Sequence, residues 1–399
     1  MPSYFSNVLT ILHRHSARTS PASNLSQDIV GPHPSLFEES SIQLKDRSDL
    51  PSISQCAIHL ELLEAFYTLR IRVTTSSRLT KSLDRKQNHK RNSILGGRKE
   101  PSERWHRFLS IAVTRFQQWV RVLNHHLEVK HLEGRDPLLL PPLVADILMV
   151  WHAFLLNPHD FSQFCNTTHL DHIRGLSFPW EAIHEALSHD NWDYTLPSET
   201  SAWLRNELNI APDLFTALSD NEATTLKAIT PETPPEHIPL VDNILRQAIF
   251  IDKMHDLLWI RSPALQGTLT RALARYERFV TLFRLHPGTM LVPTLDVDLV
   301  WHTHLCSAVL YEESMLERTG RYINHDDKLG EETLTGGLDT TVKLYEAATG
   351  EPYGACFCWD CEAMRSAGKM VEGDVGAGAR KKIEEEVDSY WRAEMTRRK

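Results

Sequence analysis

Hydrophobic positions recur at helical spacing along most of this chain and alternate at strand spacing almost nowhere. In AIHLELLEAFYTLRIRV, residues 57–73, Leu60, Leu63, Phe66 and Leu69 fall three residues apart, the period of an amphipathic helix. RWHRFLSIAVTRFQQWVRVLN, residues 104–124, continues the pattern with Phe108, Ala112, Phe116, Trp119 and Leu123. A third run, 144–156, is apolar on nearly every side, which predicts a buried helix. Pro141 and Pro142 are tolerated only at or before its start, and Pro158 ends it.

The second half follows the same plan. Residues 240–260 and 268–288 each read as a helix, and after Pro293 a third is predicted over 295–316. ARYERFV aligns with TRFQQWV, placing Arg115 on Arg275, Phe116 on Tyr276 and Trp119 on Phe279. DILMVWHAFLLNPHDF aligns with DVDLVWHTHLCSAVLY, placing Asp146 on Asp296, Trp151 on Trp301, His152 on His302 and Phe161 on Tyr311. A matched order with a period near 150 residues is too long for a solenoid repeat and suits duplicated subdomains.

The expected fold is therefore all-α, with two related helical subdomains from an internal duplication. Residues 1–50 lack sustained periodicity and read as a disordered region, with one short helix over 4–12. Helical subdomain 1 takes 51–195, interrupted by a polar, basic loop at 74–104; a linker takes 196–236, with a short helical patch at 202–208, and subdomain 2 takes 237–345. An irregular cysteine-containing segment, 346–378, precedes an amphipathic C-terminal helix over 379–399, with Ile383, Val387, Trp391 and Met395 on one side.

Composition narrows the class. With 399 residues, 41% hydrophobic and 24% charged, the chain is that of an ordinary globular protein. A formal net charge of −9 excludes a surface built throughout for nucleic acid. The basic loop runs against that balance, with nine Lys or Arg against three acids. It offers a phosphate-binding or nuclear-address reading, and Ser93, two residues after Arg91, is a candidate phosphosite. No aromatic side chain interleaves those charges as a base-stacking platform would, so a solvated loop is the simpler reading.

No apolar run approaches the roughly 20 residues that span a bilayer. The first residues place basic groups after the apolar patch, the wrong order for a secretory signal. No acid precedes Asp28, which leaves a mitochondrial presequence as the alternative to a disordered tail. Six cysteines, with Cys56, Cys165 and Cys306 scattered singly, read as reduced thiols in a cytoplasmic protein, with a nuclear one as the alternative.

Candidate chemistry falls in two places. Asp296, Asp298, His302, His304 and Cys306 crowd eleven positions of the second Trp-His segment. On a continuous helix Asp298, His302 and Cys306 share a stripe, whereas His302 and His304 diverge by about 200°. The first segment has Leu148, Phe154 and Leu156 at the matching positions, so the shared Asp146/Asp296, Trp151/Trp301 and His152/His302 read as architecture. In that reading the Asp caps the helix or complements its dipole, and each Trp and His packs in the core with its ring N–H paired. Any functional site belongs to Asp298, His302 and His304. The second place is Cys356-Phe357-Cys358-Trp359-Asp360-Cys361. Three thiols within six residues read as a cluster of buried or idle thiols, or as ligands of one zinc ion, with His325 or His304 as the fourth ligand supplied by the fold; a Cys358/Cys361 redox pair is the further alternative. Walker, Gly-x-Ser-x-Gly, His-Glu-x-x-His and dinucleotide signatures are absent.

VPTLDVDLVWHTHL, preceded by ARYERFV and by a helix ending in DLLWI, resembles the glycine-rich domain-containing-protein-like family known from plants and fungi. The family pattern of Pro, Asp-x-Asp and Trp-His-x-His falls on Pro293, Asp296, Asp298, Trp301, His302 and His304. The first segment departs from it at Leu148 and Phe154. The resemblance covers roughly residues 52–365, and the cysteine segment is similar to that of fungal members. It implies kinship with plant proteins linked to development and stress responses, and it carries no catalytic residue. The glycine-rich tail and the RNA-recognition module of some members do not transfer, since the chain has 17 Gly and no RNP-like aromatic strand. The expected function is a non-enzymatic interaction or regulatory module with protein partners. The alternatives are a metal-dependent enzyme or metal-binding protein using the second Trp-His segment, and an RNA-associated factor using the basic loop.

Overall fold

The computed structural model describes residues 49–79, 103–132, 144–220, 239–370 and 377–397. The expected N-terminal disorder and short helix, most of the basic loop with Ser93, and the Pro-rich part of the linker lie outside the described residues. Among the described residues the protein is all-α, and the one β feature is an isolated bridge between Leu187 and Tyr194.

Helix α1 spans Ile53–Thr75 and starts four residues before its apolar period does. The reason is a capping box: the Ser52 hydroxyl accepts from the Gln55 backbone N–H, and the Gln55 side chain accepts from the Ser52 N–H. Two orphan donors are satisfied, so the helix is nucleated before its core face begins. Helix α2, Glu103–Leu132, is longer than its period predicts. Helix α3, Ala145–Leu155, is buried along almost its whole length, as its all-round apolar sequence requires. Pro158 ends α3 and then serves as the first residue of α4, Pro158–Thr168, where its missing N–H costs nothing. Four short helices follow: α5 Asp171–Arg174, α6 Trp180–Ala186, α7 Ser198–Leu208 and α8 Leu214–Ser219.

The second half begins with α9, Leu240–Leu257, which turns through Leu258 at φ 60° into a single 3₁₀ turn, Trp259–Arg261. Next come α10, Leu265–Leu285, and α11, Leu295–Leu305. The single helix expected over 295–316 is in fact two, because the chain breaks at Cys306 and Ser307 and restarts as α12, Ala308–Thr319. No proline marks this break. It matches the α3/α4 break in position, and tertiary bonds hold it: the Tyr311 hydroxyl, one turn into α12, receives the Trp301 indole N–H and donates to the Ile323 carbonyl.

Two further corrections fall at the C-terminal end. Helix α13 runs over Glu331–Thr349, past the point at which subdomain 2 was expected to end. The segment expected to be irregular contains α14, Trp359–Met370. The last helix, α15, spans Ala377–Arg397 and packs Val387, Tyr390 and Trp391 in one small apolar cluster with Trp359 of α14.

Buried apolar residues from Cys56 to Tyr353 form one continuous core, so the two halves share an interior instead of each closing its own. Helix α1 packs against α2, α3 and α6 of the first half and against α9, α10 and α11 of the second. It therefore occupies the seam between the two Trp-His helices, where its polar residues meet those of both.

Candidate metal centre

Both Trp-His helices are docked by the same device. Arg115 of α2 donates from Nε to Asp146 Oδ2 at 2.7 Å and from Nη2 to the Ala211 carbonyl at 2.9 Å. Arg275 of α10 donates from Nε to Asp296 Oδ2 at 2.6 Å and from Nη2 to the Tyr353 carbonyl at 2.7 Å. Burial pushes both carboxyls up and the guanidinium beside each pulls back down, so each pair stands or falls together. These first-turn acids were expected to cap or complement the helix dipole, but neither helix has a side-chain cap. Both acids do sit in the first turn, where they complement the dipole, and each in addition holds an ion pair with its arginine.

The two indoles part ways. Trp151 packs 5.4 Å from Trp119, and Trp301 packs 5.6 Å from Phe279, at matching places. The Trp301 N–H donates to the Tyr311 hydroxyl at 3.0 Å. Phe161, at the position matching Tyr311, carries no hydroxyl, and the buried Trp151 N–H has no partner among the described residues, contrary to expectation. Replacing Tyr311 with Phe strands the Trp301 N–H and the Ile323 carbonyl, with an expected loss of about 1–3 kcal/mol in a urea titration.

The two histidines also part ways. His152 meets His59 of α1, Nε2 to Nε2 at 2.8 Å, and His59 Nδ1 lies 2.8 Å from the Thr303 hydroxyl of α11. Thr303 donates its own proton to the Leu299 carbonyl, so His59 Nδ1–H donates to the hydroxyl oxygen and His59 Nε2 accepts from His152. Burial pushes both rings well below the usual histidine range, to about 3 for His152, with neighbouring imidazoles adding to the effect. They form a neutral structural chain across the seam.

His302 faces elsewhere. Its Nε2 lies 3.1 Å from His325 Nε2 and 3.2 Å from Asp298 Oδ1, and the His325 Nε2 to Asp298 Oδ1 distance is 3.6 Å. A tetrahedral ion with bonds of about 2.0–2.1 Å needs ligand atoms about 3.3 Å apart. His325 Nδ1 is 2.9 Å from the Leu156 carbonyl and donates to it, so that in the neutral ring Nε2 is the lone-pair nitrogen. Burial works to raise the Asp298 carboxyl, but His302 and His325 together hold it below the usual carboxylate range. For His325 burial works downward, and the Asp298 carboxylate outweighs it and raises the ring. Phe250 at 4.5 Å from His302 and Trp301 at 5.0 Å from His325 enclose the rings. Asp298, with its side chain 19% exposed, is the side open to solvent.

Asp298 and His302 thus come together as their shared stripe predicts. His304 does not join them: its Nδ1 bonds the Tyr276 hydroxyl at 2.9 Å, and burial lowers it to about 3. Two positions along a helix turned the rings to different faces. Cys306, third on the stripe, is fully buried, which pushes its thiol well above the usual range. The residue that completes the group is His325, expected instead as a reserve ligand for the cysteines. It lies in the connection between α12 and α13, and no local pattern pairs it with α11.

The second half of this frame has relatives. Residues 181–314 match the family model described as "Glycine-rich domain-containing protein-like". That match covers 134 of the chain's 399 residues. Glycine-rich domain-containing protein 1 of Arabidopsis thaliana is 28% identical over 236 residues, which is 57% of this chain and 26% of the plant protein. Glycine-rich domain-containing protein 2 of the same plant is 28% identical over 250 residues, 62% of this chain and 29% of that relative. The chain therefore spans less than a third of the length of the curated relatives it matches. No solved structure matches it. The GRDP-like match takes in Arg275, Asp296, Asp298 and His302 and ends before His325.

Two other ligand groups lie outside that triangle. Glu61 of α1 accepts from His184 at 2.7 Å and lies 3.4 Å from His189, a grouping that sequence reasoning missed because the three residues sit on separate elements. Here the buried carboxylate outweighs burial and raises His189, the behaviour of an ion pair. Beyond the matched GRDP-like stretch, the sulfurs of Cys356, Cys358 and Cys361 lie within 4.8 Å of one another.

Proposed function

We propose that this protein is a metal-binding regulatory module in which one divalent transition-metal ion is held by Asp298 Oδ1, His302 Nε2 and His325 Nε2. The observation that carries it is the triangle of ligand atoms at 3.1, 3.2 and 3.6 Å. Imidazole and carboxylate together suit zinc or iron(II). The ion would act as a clasp. Its ligands come from α11 and the α12–α13 connection, and His325 is bonded to Leu156, the C-cap of α3, so occupancy is transmitted to both Trp-His helices. The matched Arg–Asp locks support reading the two halves as related by duplication. Regulation through protein partners fits this arrangement. RNA binding would rest on basic-loop residues mostly outside those described.

A metal-dependent enzyme is the second reading, favoured by one observation. Three protein ligands leave a coordination position free for water or a substrate, and the Asp298 side chain is partly exposed. No helix among the described residues is long and apolar enough to cross a membrane.

Elemental analysis of a triple Cys-to-Ser variant at 356, 358 and 361 is expected to find one equivalent of ion, lost when Asp298→Asn or His325→Ala is added. Stripping an ion present at 100 times its dissociation constant is expected to lower stability by about 2.7 kcal/mol. Wild-type protein that binds none of zinc, iron(II) or manganese, and whose melting temperature ignores chelators, overturns the proposal.

A further inference from the structure

We propose that Cys356, Cys358 and Cys361 form a second, thiolate metal site that takes a soft d10 ion, zinc or copper(I), and fastens the C-terminal helix pair to the core. This stands independently of the Asp298 centre.

The placement of the sulfurs comes first. Cys356 and Cys358 have their sulfurs 3.3 Å apart, and Cys361 completes a group within 4.8 Å. Metal–sulfur bonds of about 2.3 Å require sulfurs roughly 3.8–4.0 Å apart, within the span of this group. A separation of 3.3 Å is far beyond a disulfide bond of about 2.05 Å. Soft thiolates select zinc and copper(I) over harder ions. Among the described residues no fourth ligand atom joins the group. Copper(I) is satisfied by three sulfurs, and zinc would take a fourth donor from solvent.

The backbone carrying the sulfurs is anchored from both sides. The Trp259 indole N–H donates to the Phe357 carbonyl at 2.9 Å, and Arg365 donates to the Cys356 carbonyl at 2.7 Å. Cys358 supplies the carbonyl for the first helical bond of α14, from the Glu362 N–H, so the group sits at the positive end of a twelve-residue helix. All three cysteines are partly exposed and open to an incoming ion, whereas Cys56, Cys165 and Cys306 are buried singly.

The location shows what the ion would do. Trp359, next to Cys358, packs 5.5 Å from Trp391 of α15, in a cluster separate from the main core. Its buried members among the described residues are Leu258, Trp359, Ala363 and Val387, a small apolar store for holding two helices. The thiol loop joins that cluster to the core through Trp259 and Phe357.

The experiment uses the whole reduced chain, titrated without oxygen with zinc(II) in one arm and copper(I) in the other. In at least one arm one equivalent beyond that taken up by a triple Cys-to-Ser variant is expected to bind, to shield three thiols from a thiol-reactive dye and to slow proteolysis of residues 359–397. Cobalt(II) is expected to give a sulfur-to-metal charge-transfer band. Each single Cys-to-Ser variant should weaken binding by more than the roughly 10–100-fold typical of a lost supporting residue. The same ion should still bind in Asp298→Asn. If the serine variants fold poorly, the unmutated chain decides, since chelation must expose the three thiols again. Equal ion content in wild type and variants overturns the site. So does an ion-free Cys358–Cys361 disulfide that forms and breaks reversibly, which would assign the segment to redox chemistry.

Discussion

Arg115→Met is expected to cost the protein about 3–5 kcal/mol in a urea titration, among the largest losses from any single charged residue. Arg115 is fully buried and Asp146 is 3% exposed, so removing the guanidinium leaves a carboxylate in the core with no counter-charge. The Ala211 carbonyl loses its donor at the same time. The double variant Arg115→Met with Asp146→Leu removes both charges and is expected to recover more than half of the loss, since paired apolar replacements of buried ions are often neutral or stabilising. The corresponding Arg275→Met should cost less, because Arg275 is 13% exposed and water can reach part of its site. If Arg115→Met costs less than about 1 kcal/mol, the lock is not what seats the first Trp-His helix.

Acidification is expected to produce the second large effect. His152 and His304 are held neutral, both lowered by burial to about 3, against about 6.5 in an unfolded chain. Between those values the unfolded state binds more protons than the native one, so stability falls as pH falls. Going from pH 8 to pH 5, each of the two rings removes about 2 kcal/mol, roughly 4 kcal/mol together, and His59 adds in the same direction. Urea midpoints measured across that range test this. Replacing His304 with Phe, the residue at the matching position of the first segment, together with Tyr276→Phe, should remove the roughly 2 kcal/mol of that loss which His304 carries. Stability that stays flat from pH 8 to pH 5 would mean that these rings already carry their protons in the folded state.

The Arg–Asp locks mark how far reading from the residues reaches. Arg115 and Arg275 align, as do Asp146 and Asp296, and both pairs are joined in the structure. The alignment displayed the partners without revealing that they were partners, because a cap and an ion pair place the same acid in the same first turn. His304 is the converse case, since helical spacing alone separated it from His302. His325 was out of reach, because a residue in an irregular connection has no periodicity to give its direction.

What the sequence determined by itself were features set by neighbours a few residues away. The all-α class, the apolar faces of α1, α2, α3, α9 and α10, the Pro158 boundary and the shared Asp-Trp-His belong here, because a period of 3.6 and a fixed proline φ are local properties. Tertiary structure alone decided how polar groups far apart in the chain pair inside the shared core. His59 bonds Thr303 across 244 positions, and His325 closes on Asp298 and His302. It also decided the break at Cys306 and Ser307, where Tyr311 holds Trp301 and Ile323 together and no local breaker exists. The physical reason is one and the same: a buried polar group must find a partner, and which partner it finds is set by how helices pack.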